Sequence, residues 1–147
     1  MINSIQYQQD MLISEFQLFD NWMEKYEYLI DLGKELSPLE ESLKKPENLI
    51  KGCQSQVWLH SELKNGKVIL QADSDAIITK GLIALIIRVL NNQAPEDIYN
   101  SNLYLTDQIG LNDHLSPSRS NGLNSMIKQI KMDSLALQMK KIPIAGI

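Results

Sequence analysis

Residues 76–90 carry Ile77, Ile78, Leu82, Ile83, Leu85, Ile86, Ile87, Val89 and Leu90, so a helix over this stretch is apolar nearly all round. Such a helix cannot lie on a surface; it has to be the buried centre of a domain, with other elements packed against several of its sides. Gly81 sits inside it, at a cost of about 1 kcal/mol relative to alanine. That cost predicts close approach of another backbone at this point. Asp73-Ser74-Asp75 precede the helix and offer caps for it.

The segment before this helix has a different period. From Ser55 to Leu63, the apolar residues Val57, Leu59 and Leu63 alternate with Gln56, Trp58, His60 and Glu62, the two-residue repeat of a strand. Asn65-Gly66 follows, a strong hairpin signal because a type I′ turn needs positive φ at both central residues. Val68, Ile69 and Leu70 make the return strand. Upstream, residues 4–19 carry a helical stripe of Ile5, Leu12, Ile13, Phe16 and Phe19. Asp20 then reads as the N-cap of a second helix with the stripe Trp22, Met23, Tyr26, Leu29, Ile30 and Gly33. Residues 37–48 hold two prolines and many charges and are expected to form a surface loop.

Downstream, Leu103-Tyr104-Leu105 reads as a short extended piece, and Thr106 or Asp107 as the cap of a short helix ending near Gly110. Ser116-Pro117 opens a last helix, serine as N-cap and proline at the first helical position, with the stripe Leu123, Met126, Ile127, Ile130 and Leu137. Residues 141–147 have no period and are expected to be loose. The chain of 147 residues is about one domain's worth. The expected fold class is α+β: a single domain over 1–147 with a small antiparallel sheet packed on one side by helices.

Charge and cysteine usage narrow the function. The formal charge is −4, which argues against nucleic acid as the default partner. The chain holds one cysteine, Cys53, and two histidines, His60 and His114. No disulfide forms within one chain, and no all-cysteine zinc or iron–sulfur site of about four ligands can be built by it. No C-x-x-C, H-E-x-x-H or H-x₃₋₅-H spacing is present. No metal is therefore expected, a mixed site completed by carboxylates being the alternative, and the chain is expected to hold no cofactor of its own. The richest apolar run, Gly81–Ile87, is broken by Arg88 and is too short for a membrane span. The N-terminal residues have neither a basic region nor an apolar core of the secretory kind. A reduced, cytoplasmic setting follows as the expectation, with no membrane partner.

Cys53 lies between Gly52 and the polar pair Gln54-Ser55, at a loop–strand junction. Free cysteine is often simply a small buried residue. Its position at a junction rather than in an apolar stripe favours a reactive thiol, and Lys51 two residues away would favour the thiolate. The two readings stand side by side on the residues alone. His60 and His114 read as surface or structural histidines. Asp73 and Asp75 suggest either paired carboxylates for acid–base work or helix caps. Arg119 opposes the helix dipole at the start of the last helix, which suggests an anion nearby, a ligand or a carboxylate from another segment.

Five runs occur in order: Trp22-x-x-Lys25-Tyr26-x-Tyr28-Leu29-Ile30-x-Leu32-Gly33, Gly52-Cys53-Gln54-Ser55-Gln56-Val57-Trp58, Asp73-Ser74-Asp75-Ala76, Lys80-Gly81-Leu82-Ile83-Ala84, and Leu115-Ser116-Pro117-Ser118-Arg119-Ser120-Asn121-Gly122-Leu123. Together they resemble SufE, the family of sulfur acceptors of cysteine desulfurases, including the related CsdE, over about residues 16–140. The resemblance implies the fold shared with the scaffold IscU, a three-stranded antiparallel sheet with helices on one face. It implies that Cys53 is the persulfide acceptor, and that Asp75 and Arg119 lie near it and control the exposure of its loop. It implies a SufS-like or CsdA-like cysteine desulfurase as partner, which carries pyridoxal phosphate, and a SufBCD-like scaffold as downstream acceptor. An iron–sulfur scaffold of the same fold and a non-covalent desulfurase-activating adaptor are the alternatives. The first conflicts with the cysteine count.

Overall fold

The computed structural model describes residues 4–141; the tail expected to be loose lies, from residue 142 on, outside the described residues. Ser4 caps the first helix, α1 (Ile5–Phe16), by accepting from the Tyr7 amide. The second, α2 (Trp22–Glu35), is capped by Asn21 rather than Asp20: the Asn21 side chain accepts from the Glu24 amide at 3.0 Å, and the Glu24 carboxylate accepts from the Asp20 amide. A cap at position 21 satisfies the first turn better because the Glu24 carboxylate can then close the reciprocal pair. Two single turns of 3₁₀ helix, Glu41–Leu43 and Pro46–Asn48, interrupt the polar stretch that follows. It is not all surface, since Leu39 is buried.

The hairpin pairs β1 (Val57–Lys64) with β2 (Lys67–Ser74) in antiparallel register, from Val57 opposite Ser74 to Lys64 opposite Lys67. Asn65 and Gly66 both have positive φ, 53° and 78°, as a type I′ turn requires. Val57, Leu59, Val68, Leu70 and Ala72 are buried. Among the described residues the sheet has two strands, not the three expected. A third lane exists only as one bridge: Leu49 pairs with Trp58, and the Ile50 amide donates to the Val57 carbonyl at 2.8 Å. The turn at Pro46–Asn48 before it and Gly52 at φ +92° after it leave too few extended residues for a strand. The opposite edge is closed in the same way by a Val68–Gln93 bridge.

Helix α3 (Ile77–Leu90) is the centre of the domain, packed against α1, α2, β2 and the last helix, α7 (Pro117–Lys141). Ten of its residues are buried. Ile77, expected in the core, is 67% exposed at the first turn, and Met23 of α2 is 73% exposed. Both lie at helix starts, beyond the reach of the neighbouring layer. Gly81 and Gly33 meet where α3 and α2 cross; a Cβ on Gly81 would lie 2.3 Å from the Leu29 carbonyl oxygen. Arg88 of α3 reaches Glu15 of α1 at 2.8 Å, and Tyr28 of α2 bonds to both.

Between α3 and α7 come three short helices, α4 (Pro95–Tyr99), α5 (Leu105–Ile109) and α6 (Leu111–His114). Residues 103–105 do not form the extended piece expected: Leu105 opens α5, where the buried Gln9 side chain accepts from its amide. Helix α7 starts as the sequence implies, with Ser116 Oγ accepting from the Arg119 amide at 3.3 Å. It buries Leu123, Met126 and Ile130 and packs on α3, α4 and β1.

Candidate functional site

The loop between the Leu49 bridge and β1 carries Cys53 against the first turns of α7. Gly52 adopts φ +92°, a conformation that side chains rarely take, and a Cβ there would sit 2.4 Å from Ser125 Oγ. The Cys53 thiol donates to the Gly122 carbonyl oxygen, with Sγ 3.6 Å away. The absence of a side chain at Gly122 makes room for this contact: a Cβ built there would be 3.5 Å from Sγ.

Cys53 is half-buried at the wall of a cavity of about 240 Å³. Gln54 and Ser55 of the loop, Thr79 and Leu82 of α3, and Ser116, Ser118, Arg119 and Met126 from the start of α7 complete the lining. Burial pushes the Cys53 thiol above its ordinary value. This corrects the expectation that Lys51 favours the thiolate. Lys51 instead lines a separate groove beside β1, with His60 and Asp133. A carbonyl facing Sγ is likewise a partner for the protonated thiol.

Asp75 and Arg119 are both exposed, and they do different things. Asp75 Oδ1 accepts from the Gln56 amide at 3.0 Å, while the Asp75 amide and the Ser74 hydroxyl donate to the Gln56 carbonyl at 3.3 and 2.8 Å. These bonds fix the chain three residues beyond Cys53. Arg119 lines the mouth of the Cys53 cavity. Among the described residues it makes no ion pair, so the expected carboxylate partner is not there; Asp75 and Arg119 are not joined.

Asp73 caps no helix. It is buried, accepts from the Ser74 and Leu39 amides at 2.8 and 3.3 Å, and pairs with Lys80 at 3.3 Å and Lys44 at 3.5 Å. Burial works to raise its carboxyl, but the two amides and the Lys80 ammonium outweigh it and hold it below the usual range. Asp73 thus ties the 37–48 stretch to the start of α3, a role that capping logic could not reveal. No side chain caps the start of α3; the Ser74 hydroxyl accepts from the amide of Ala76, the residue before the helix, at 3.3 Å.

His114 stacks on Trp22 with ring centroids 3.9 Å apart, and its carbonyl accepts from the Tyr26 hydroxyl. His60 lies 3.7 Å from Glu62. Among the described residues no three His, Cys, Asp or Glu side chains gather into a metal-holding set, and no helix is long and apolar enough to cross a membrane. Sequence reasoning missed Thr79, Ser118 and Gly122 as cavity residues. A glycine inside α7 was the one signal available, since it weakens a helix unless something needs the space.

The architecture is similar to the solution structure of a hypothetical protein from Thermus thermophilus, with a TM-score of 0.75 over 90% of this chain and 96% of that one. At 16% identity this likeness shows the fold alone. The sequence is more specific: residues 10–134 match the family SufE, described as an Fe-S metabolism associated domain, and the chain belongs to that family.

Proposed function

We propose that this chain is a cytoplasmic sulfur carrier for iron–sulfur cluster assembly that takes persulfide sulfur from a SufS-like or CsdA-like cysteine desulfurase onto Cys53, stimulates that enzyme, and passes the sulfur to a SufBCD-like scaffold. The observation that carries this reading is the position of the chain's one thiol: Cys53 stands on a loop, at the wall of a cavity, tied down on both sides by a few hydrogen bonds. Family membership supports a place in Fe–S metabolism.

The chemistry needs one sulfur atom on this side. The Cys53 thiolate attacks the outer sulfur of the desulfurase persulfide, a new S–S bond forms, the old one breaks, and the desulfurase thiolate leaves. Burial disfavours the Cys53 thiolate in the isolated chain. Docking must therefore draw the loop out, where the thiol ionises more readily. Incubation with desulfurase and cysteine is expected to add about 32 Da, one sulfur atom, at Cys53, its only thiol. Intact-protein and peptide mass spectrometry read this directly, and an unmodified Cys53 beside a turning-over desulfurase would refute the carrier.

Asp75 and Arg119 set the exposure of the loop in this reading, Asp75 by holding Gln56 and Arg119 by standing at the cavity mouth. Asp75→Arg is expected to speed alkylation of Cys53 by iodoacetamide about fivefold, the scale of one lost exposed hydrogen bond. Arg119→Ala acts in the same direction. Rates equal to wild type in both, with unchanged circular dichroism, would remove these two residues from the gate.

A further inference from the structure

Helix α7 separates the charges of this chain. Between Pro117 and Lys141 stand Arg119, Lys128, Lys131, Lys140 and Lys141 against one acid, Asp133, a net charge of +4 in a chain of −4, so the rest of the chain carries −8. The second half of the helix also leaves apolar side chains in water: Met132, Leu135 and Met139 are 54%, 45% and 67% exposed. Scattered exposed apolar residues are ordinary, but these three follow Lys128 at steps of four, three and four residues and so form one stripe. Tyr99 of α4 and Ile127, Lys128, Lys131, Met132 and Leu135 of α7 line an open groove of about 430 Å³ beside it, and no carboxylate does. Lys131 donates to the Ser101 carbonyl at 2.7 Å, and among the described residues neither it nor Lys128 makes an ion pair.

We propose that this face of α7 docks an acidic amphipathic helix of a partner protein, with its apolar ridge on Met132, Leu135 and Met139 and its carboxylates beside Lys128, Lys131 and Lys140. Steps of three and four residues make the seam that a facing helix fills. Methionine adapts its shape to such a ridge. The cations decide among occupants. A second copy would lay one +4 helix against another and is repelled. An anionic membrane would meet the −8 of the rest of the chain. An acidic helix complements the lysines in charge and covers the stripe with its apolar side. The face also stands apart from the thiol: Met132 and Met139 lie about 15 and 25 Å along the helix from Gly122, whose carbonyl meets Cys53. A partner held here leaves Cys53 free to meet a second protein, so the docking face goes beyond sulfur transfer and does not depend on it.

The probe is a fluorescent, end-capped helical peptide of alanine, leucine and glutamate, about 18 residues or five turns long. Its leucines stand at three- and four-residue spacing with glutamates on both flanks, and its control carries lysine for every glutamate. Anisotropy against the full chain is expected to give a Kd of about 10 μM for the glutamate peptide and binding about tenfold weaker for the lysine peptide. Raising the salt from about 0.02 to about 0.2 M should weaken the glutamate peptide about fivefold. Leu135→Asp is expected to cost about tenfold by removing an apolar anchor. Lys128→Glu, a change at an exposed position that leaves the core untouched, is expected to cost about fivefold. Cys53→Ser should bind as wild type does; the assay uses no desulfurase, so the carrier and the docking face fail separately. Equal affinity for the two peptides, equal affinity of wild type and both α7 variants, or a Kd above about 1 mM overturns the proposal. So does a dimer in sedimentation that Leu135→Asp dissolves, which makes a second copy the occupant. Tighter peptide binding by Ile144→Asp overturns it in favour of the chain's own last residues, and flotation with phosphatidylserine vesicles that Leu135→Asp abolishes overturns it in favour of a membrane.

Discussion

Cys53→Ser is expected to return the desulfurase to its unstimulated rate while the complex still forms with an affinity within about twofold of wild type, since the serine hydroxyl can donate to the Gly122 carbonyl as the thiol does. The substitution is nearly isosteric, so the cavity and loop should persist. What is lost is the nucleophile: a hydroxyl at neutral pH does not attack a persulfide, and no other thiol exists in the chain to replace it. Steady-state alanine production with saturating carrier, read beside a binding isotherm, separates the two quantities. Stimulation that survives the serine variant would replace the carrier with a non-covalent adaptor.

Gly81→Ala is expected to be the most destabilising single methyl in the molecule. The added carbon would meet the Leu29 carbonyl oxygen at 2.3 Å and its carbon at 2.8 Å, while a Cβ at the Gly33 position opposite would lie 2.9 Å from the Gly81 nitrogen. Both obstacles are backbone, so no rotamer relieves them and α2 must move away from α3. Alanine gains about 1 kcal/mol in helix propensity, against overpacking of about 3–4 kcal/mol at a rigid contact. A net loss of about 2–3 kcal/mol corresponds to a fall of roughly 10 °C in Tm for a domain of this size. Thermal unfolding followed by circular dichroism measures it; a Tm equal to wild type would mean that the crossing is slack.

The features legible in the sequence are those set by neighbours along the chain. Asn65-Gly66 dictated its turn through backbone sterics, Ser116-Pro117 opened α7, and the all-round apolarity of residues 77–90 required a central helix. Gly81 even announced a close crossing before its partner was known. Features set by contacts distant in sequence were not legible. The third strand that the resemblance implied is reduced to one bridge at Leu49, confined by a 3₁₀ turn before it and a positive-φ glycine after it. Leu103-Tyr104-Leu105 reads as extended, but Gln9 from α1 draws Leu105 into a helix start. At the site, Cys53 and Arg119 could be singled out in one dimension. The direction of the thiol's shift could not, because it comes from α3 and α7 closing over the loop rather than from Lys51 beside it.

Peroxide and other oxidants react with thiolates far faster than with thiols, and their first product, a sulfenic acid, would occupy the atom that the proposed transfer uses. Burial, which disfavours the Cys53 thiolate, therefore slows that oxidation. The half-burial that makes the resting thiol a sluggish nucleophile also makes it a slow target for oxidants.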